Sequence, residues 1–370
     1  MKKIIFSCIA LFLAAAGHTG YAEILIGQTA GFTGPVAAGV KETTDGAKLY
    51  LDAINARGGV NGQKIELISL DDKFDPKLTV ENTRELIEAR GVVAMFLTRG
   101  TPHTQAIIPL LDKYNVPLVG PSTGAMVLHQ PVLKNVFNVR ASYQREAEKA
   151  ITHLSSMGIT RIAIVYADDS FGADGVAGAQ KGLDKARLKP ALLEKFDRSK
   201  PDFAPIGTKI VQANAQAVMM VASGGAVLDG LKIFRAAGST AQIITLSNNA
   251  STGFIKSLGN LGNGVIVTQV FPSERSIAYP LVKEAQEMAK AKGQNDVSPA
   301  MLEGFAAAKV LVEGLRRAGV KPSREKIRAA LEGIRKFDIG GLEISYSPED
   351  HTGLDFADLS IIGSDGKFKR

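Results

Sequence analysis

Cysteine is almost missing from this chain. Of 370 residues only Cys8 is one, and it lies in an apolar stretch close to the N-terminus. With that stretch set aside, disulfides, thiol catalysis and cysteine-ligated metal are excluded, so packing must hold the fold. Histidine is scarce too: none of the five stands in a spacing such as H-E-x-x-H, and no GxGxxG or Walker A loop occurs. No metal and no cofactor is therefore expected. Long apolar runs are also lacking. A transmembrane helix takes about 20 apolar residues, and the run from Ile4 to Gly17 stops short of that before His18 and Thr19.

That first run has a different reading. Met1-Lys2-Lys3, the apolar stretch, and a polar segment closing on Gly20-Tyr21-Ala22 make the three regions of a secretory signal peptide. Cleavage after Ala22 removes Cys8, lowers the formal charge from +7 to +5 with Lys2 and Lys3, and leaves 348 of the 370 residues. That length suits two domains with separate cores. The remaining basic residues are dispersed, as in Lys181-Gly182-Leu183-Asp184-Lys185-Ala186-Arg187. Dispersed charge reads as solvated helix faces and speaks against a nucleic-acid partner.

Apolar runs alternate with segments of helical period, and the runs are continuous, as in parallel strands covered on both faces. The first series places strands at Ile24 to Ile26, Ile65 to Leu70, Val92 to Leu97 and Val116 to Val119, with helices near 41–56, 77–90 and 103–114. A second series places strands at Arg161 to Tyr166, Ala191 to Glu194, Ala217 to Val221, Ile243 to Leu246 and Val265 to Val270. Its helices lie near 144–157, 172–186, 203–213 and 225–237. Long helices near 276–291, 298–318 and 323–333 come next, then short strands. Gly58-Gly59 and Gly319 mark helix ends, and Ser323 an N-cap. The fold class is α/β, with two doubly wound parallel-sheet lobes. No low-complexity linker separates them, so discontinuous domains are expected.

Several segments carry a specific likeness. Ile26-Gly27-Gln28-Thr29-Ala30-Gly31-Phe32-Thr33-Gly34-Pro35 opens the chain's first strand and loop. Asn55-Ala56-Arg57-Gly58-Gly59-Val60-Asn61-Gly62 closes the first helix, and Asn115-Val116-Pro117-Leu118-Val119-Gly120-Pro121-Ser122-Thr123 spans a later strand. Arg161-Ile162-Ala163-Ile164-Val165-Tyr166 with Phe171-Gly172, and Phe234-Arg235-Ala236-Ala237-Gly238, lie farther on. Together they resemble the leucine/isoleucine/valine-binding protein family over essentially the whole mature chain. The resemblance implies a type I periplasmic binding fold: two lobes joined by a three-strand hinge, with 23–141 and 272–344 in one and 142–271 and 345–370 in the other. It also implies a monomer in the periplasm that closes on a small carboxylate-bearing ligand, such as a branched-chain or other amino acid, and hands it to the permease of an ABC transporter.

In such sheets a ligand binds beyond the carboxyl ends of the strands, where free N–H groups and positive helix ends favour a carboxylate. The resemblance carries this onto Arg99, Gly100 and Thr101, onto Ser122 and Thr123, and onto Phe171 as an aromatic cover. Arginine suits bidentate pairing with a carboxylate. His103 reads as a helix-start residue. Three departures bear on the ligand. Gly39 stands where the family often has an aromatic, Ser223 where it has a tyrosine, and Ser247-Asn248 where an acid would pair with an ammonium. Serine and asparagine suit a neutral polar end, so an aromatic or aliphatic carboxylic acid without an amine is the alternative ligand. Asp168 and Asp169 are the other acids within reach.

Enzyme signatures are weak. Gly120-Pro121-Ser122-Thr123-Gly124 matches the G-x-S-x-G hydrolase pattern, with His129, His153 and His351 downstream. Pro121 and the commonness of such a pattern in a glycine-rich chain argue against it, and no catalytic residue is expected. Asp71-Asp72 reads as a strand end and loop, since adjacent strand residues face opposite sides. A ligand sensor with the same fold is a further class, with no signalling appendage in the sequence to favour it.

Overall fold

Residues 23–370 are described by a computed structural model of the chain, and the expected signal segment lies outside them. The first sheet has strand order β2-β1-β3-β4-β5, from β1 (Ile24–Ala30), β2 (Ile65–Asp71), β3 (Ala94–Phe96), β4 (Leu118–Val119) and β5 (Val136–Phe137), all parallel. Between them run α1 (Ala37–Ala56), α2 (Pro76–Arg84) and α3 (Thr101–Tyr114). The second sheet contains β6 (Ile162–Ala167), β7 (Leu192–Phe196), β8 (Ala217–Val221), β9 (Gln242–Thr245) and β10 (Ile266–Gln269). Its order begins β7-β6-β8-β9-β10 and continues into the antiparallel β13 (Asp358–Ile362) and β14 (Phe368–Lys369). Its helices are α4 (Tyr143–Ser156), α5 (Ser170–Ala186), α6 (Ala204–Gln212), α7 (Gly224–Ala236) and α8 (Thr252–Leu258). The helices α9 (Pro280–Ala291), α10 (Pro299–Ala318) and α11 (Arg324–Glu332), with the small hairpin β11 (Phe337–Asp338) and β12 (Glu343–Ile344), return to pack on the first sheet.

The expected alternation is observed, with local differences. The helix expected over 77–90 stops as an α-helix at Arg84 and finishes as a π turn over Glu85–Ala89. The helix expected from 276 begins at Pro280, which supplies the fixed φ of a first helical turn. Neither β5, two residues long, nor the seven-residue α8 is expected from the sequence, because such short elements carry no measurable period. Gly58, Gly59 and Gly319 adopt positive φ at helix ends, and Ser323 caps α11 by accepting from Lys326 N. Asp71 ends β2 and accepts from Thr33, while Asp72 accepts from Thr29, Thr79 and the amide of Phe74, so the pair braces two loops.

The chain crosses between the sheets three times: between β5 and α4, between β10 and α9, and before β13. The third crossing falls later than the 344/345 boundary expected from the sequence. Tyr346 donates to Asn138 O at 2.5 Å, His351 stacks on Phe137 at 4.1 Å, and Leu354 N donates to Val139 O at 2.9 Å. Those contacts hold 346–354 against β5 and its continuation. In the first lobe α1 and α10 cross closely. A Cβ on Gly46 would lie 2.0 Å from Met301 O, and one on Gly304 1.8 Å from Thr43 O, so only glycine permits the approach. That contact sets the depth of Glu303, one residue before Gly304. Among the described residues no helix is long and apolar enough to cross a membrane.

Candidate functional site

Each sheet reverses its winding once. In the first the reversal separates β1 from β3, and in the second it separates β6 from β8. At such points the loops leaving adjacent strands diverge and open a crevice at their carboxyl ends. The loop after β3 holds Thr98, Arg99 and Gly100. It is turned by left-handed backbone at Leu97, φ 51°, a conformation a leucine adopts at a cost of about 1 kcal/mol. Gly100, at φ 96°, then leads into α3. On the facing sheet the loops after β6, β8 and β9 present Phe171, Ser223 and Asn248.

Six of the nine residues expected from the sequence line one cavity: Arg99, Gly100, Thr101, Phe171, Ser223 and Asn248. Arg99 donates through Nη1 to Ser122 Oγ at 2.9 Å and through Nη2 to Asn248 O, on the other lobe, at 2.6 Å. Ser122, Thr123 and Ser247 stand behind the lining. Thr123 and Thr101 share a hydroxyl hydrogen bond of 2.7 Å, and Ser247 Oγ accepts from Arg140 at 2.7 Å. Phe171 meets Tyr143 edge-on at 4.9 Å. Arg198 lies 5.5 Å from the ring centres of both Phe171 and Phe74, one on each lobe, and pairs with Asp169 at 2.5 Å. Asp169 also caps α5 by accepting from the amides of Phe171 and Gly172. Asp168 is turned outward, paired with Lys195.

Gly39 faces Arg99: a Cβ there would sit 3.7 Å from Nη2. The lack of a side chain opens a second cavity of about 180 Å³, next to the first of about 20 Å³, and Val36, Arg99 and Asn248 line both. Neither lining contains an acidic side chain. A larger groove of about 1030 Å³ lies elsewhere, bordered by α8, α9 and the turn before β14. It is open, carries charges of both signs, and holds none of the expected site residues, so size does not mark it as the site. Among the described residues no cluster of three or more His, Cys, Asp or Glu side chains is placed to hold a metal ion.

Behind the lining lies a buried charge cluster that sequence reasoning missed. Arg140, on the first crossing, pairs with Glu146 of α4 and lies 3.7 Å from Glu303 of α10. Glu303 accepts from Ser122 Oγ at 2.7 Å, which ties the cluster to Arg99. Glu146 also accepts from Thr268 and from Ser247 N. Burial disfavours the charged Arg140, but Glu146 and Glu303 outweigh it and hold the guanidinium above its ordinary pKa. The G-x-S-x-G serine is thus bonded to Glu303 and Arg99 and not to a histidine. Downstream of it the chain forms a single 3-10 turn over Met126–Leu128 instead of the helix a nucleophile elbow requires.

The lobes are shut on each other. Besides Arg99 and Asn248, Ala300 N donates to Ala250 O at 3.1 Å, and Glu42 of α1 accepts from the amides of Thr252 and Gly253 at 3.0 and 2.8 Å. The two cavities together fall below the several hundred Å³ that small-molecule sites usually enclose, so a ligand reaches Arg99 only when the lobes part. Glu42 supplies a cap that exists only in the shut form, worth about 1 kcal/mol. Glu42→Ala is expected to open the lobes more often and to weaken ligand binding about fivefold. Small-angle scattering and calorimetry that match the unaltered protein would exclude this role.

Residues 23–358 match the family described as periplasmic binding protein. The chain belongs to the periplasmic binding protein family. Its relatives include the Leu/Ile/Val-binding protein homolog 3 of Brucella melitensis, 25% identical across 94% of this chain and 92% of that one. A solved substrate-binding periplasmic protein from Ralstonia solanacearum is 31% identical, with 94% of this chain and 99% of that one covered, and superposes with a TM-score of 0.86. A possible leucine/isoleucine/valine-binding protein from Rhodopirellula baltica shares 27% identity over 94% and 96%, with a TM-score of 0.87. These are proteins that bind, and the type I architecture expected from the sequence is the one observed. This periplasmic binding protein also places Tyr143, Arg198, Phe74 and Val36 in its cleft, none of which the sequence singles out. Arg198 comes after β7 at the same sheet end as the expected loops, the one signal that would have found it.

Proposed function

We propose that this protein is the exported binding component of an ABC importer, working as a monomer in the periplasm. It captures a small monocarboxylate with an apolar body and no amine. Lobes of approximately residues 23–141 and 272–354, and 142–271 with the remainder, close on the ligand, and the shut form is what the permease engages. The observation that carries the ligand class is the charge of the cleft. Arg198 has Asp169 as its partner, whereas Arg99 has only a hydroxyl and a carbonyl, and no acid lines either cavity. One free guanidinium matches one carboxylate. An amino acid would place its ammonium near the Arg99 guanidinium with no acid on the lining to pair it, a costly arrangement in a closed cleft. Phe74, Phe171, Tyr143 and Val36 suit an aromatic or branched aliphatic body. The family relatives named for leucine, isoleucine and valine support the size of that body.

The test is calorimetric titration of the mature protein with paired ligands such as leucine and 4-methylpentanoate, or phenylalanine and 3-phenylpropanoate. The amine-free member is expected to bind more tightly in each pair. Arg99→Met is expected to weaken binding about 100-fold, a loss of about 3 kcal/mol for a charge-assisted pair. Tighter binding of the amino acids, or an Arg99→Met protein that keeps its affinity, would overturn the reading.

A further inference from the structure

The two asparagines after β9 have fixed polarity. Asn248 Nδ2 donates to Ala222 O at 3.0 Å, and Asn249 Nδ2 donates to the same carbonyl at 3.0 Å. A carbonyl oxygen only accepts, so both amides must present their nitrogen to it. A second constraint agrees with the first. Thr245 Oγ1 gives its one proton to Met220 O at 2.9 Å, so it accepts from Asn249 Nδ2, which lies 2.8 Å away. Asn249 Oδ1 then accepts from Asn248 Nδ2 at 3.2 Å. Both donors of Asn248 are consumed. Its Oδ1 remains, buried and without a hydrogen-bond partner, on a residue that lines both cavities.

A buried acceptor left unpaired is unfavourable, and a donor on a ligand bound in the cleft would pair it. The location of that donor is set by Arg99. Its Nη2 lies 2.6 Å from the backbone oxygen of the same Asn248, so Arg99 and the residue that carries the orphan acceptor are in direct contact. A ligand whose carboxylate lay on Arg99 would have the substituent of its adjacent carbon nearest to Asn248. With no acid beside it, that donor is neutral. We infer that the cleft selects 2-hydroxy monocarboxylates, with Asn248 Oδ1 accepting from the ligand hydroxyl and the Thr245–Asn249 chain fixing which way the amide faces. This rests on the amine-free carboxylate reading above and narrows it.

The test uses two matched series, with each enantiomer where the carbon is chiral: mandelate, phenylacetate, O-methylmandelate and phenylglycine; and 2-hydroxy-4-methylpentanoate, 4-methylpentanoate, its 2-methoxy analogue and leucine. In at least one series the hydroxy acid is expected to bind about ten- to a hundredfold more tightly than its deoxy, methoxy and amino counterparts. Thr245→Val, which touches no ligand, is expected to shrink that preference by releasing the amide chain. Asn248→Asp is expected to shift it toward the amino member. If deoxy or methoxy acids match the hydroxy acid, the inference fails while the amine-free reading stands. If the amino acids bind most tightly, both fail. If no hydroxy acid of either series binds, or Thr245→Val leaves the preference intact in a folded protein, the inference is likewise overturned.

Discussion

Replacing Arg140 by methionine is expected to lower the unfolding free energy by about 3–5 kcal/mol, the usual loss when one partner of a buried ion pair is removed. The reason is local. Glu146 is wholly buried and faces Arg140 at salt-bridge range, Glu303 lies on the guanidinium's other side, and the guanidinium also sits 4.6 Å above the Tyr143 ring. Without Arg140 two carboxylates share an interior with no cation against them. Arg140→Met with Glu146→Leu is expected to recover a large part of the loss, because the second change removes the uncompensated charge. Urea denaturation of the single and double variants measures both numbers. A single variant within about 1 kcal/mol of the unaltered protein would show that the cluster does not hold the crossing together.

Acidification is expected to destabilise the protein through His103 and His129. Burial, the principal cause for both, lowers each imidazole from 6.5 to about 4; Arg140 adds to the effect at His129. In the unfolded chain each titrates near 6.5, so between that pH and about 4 the unfolded state binds a proton that the folded state does not. Stability therefore rises with pH across this window and is lost as pH falls through it, by about 1.4 kcal/mol per unit for each group, or about 3 kcal/mol each across the window. Asp72, Asp174 and Glu146 act in the opposite sense, because burial raises their carboxyl pKa values and protonation then favours the folded state. The comparison that isolates the histidines is between the unaltered protein and His103→Gln/His129→Gln. Urea midpoints from pH 7.5 to 5 are expected to fall more steeply in the former, and parallel profiles would rule the histidines out as the cause.

His103 shows how a residue can be assigned correctly and still be only half understood. Its place in the first turn of α3 is legible from the loop and helix that flank it. Its stacking on Phe74 at 4.2 Å depends on a loop 29 positions earlier in the chain. The same holds for the site as a whole. Arg99, Thr101, Phe171, Ser223 and Asn248, which the family resemblance implies as site residues, follow continuous apolar runs that read as covered strands, and the ends of such strands are where ligands bind. Arg198 and Phe74 were not legible, because they leave their strands in loops without a motif. Arg140, Glu146 and Glu303 were hidden for another reason: they are 163 positions apart at the extremes, and charged residues in helical segments read as solvated faces.

The third crossing was misplaced for a similar reason. Between Ile344 and Asp358 the sequence has no period and several turn formers, and nothing local tells which lobe holds it; Tyr346, His351 and Leu354 decide this through contacts with β5 and its continuation. By itself the sequence determined the α/β class and the repetition of the architecture along the chain, because these depend on local period and on residue chemistry. The tertiary structure alone decided which charges lie together under the cleft loops, which cleft arginine has no acidic partner, and which way the Asn248 amide faces. Those depend on the partners each polar group meets once water is excluded, and such partners come from distant parts of the chain.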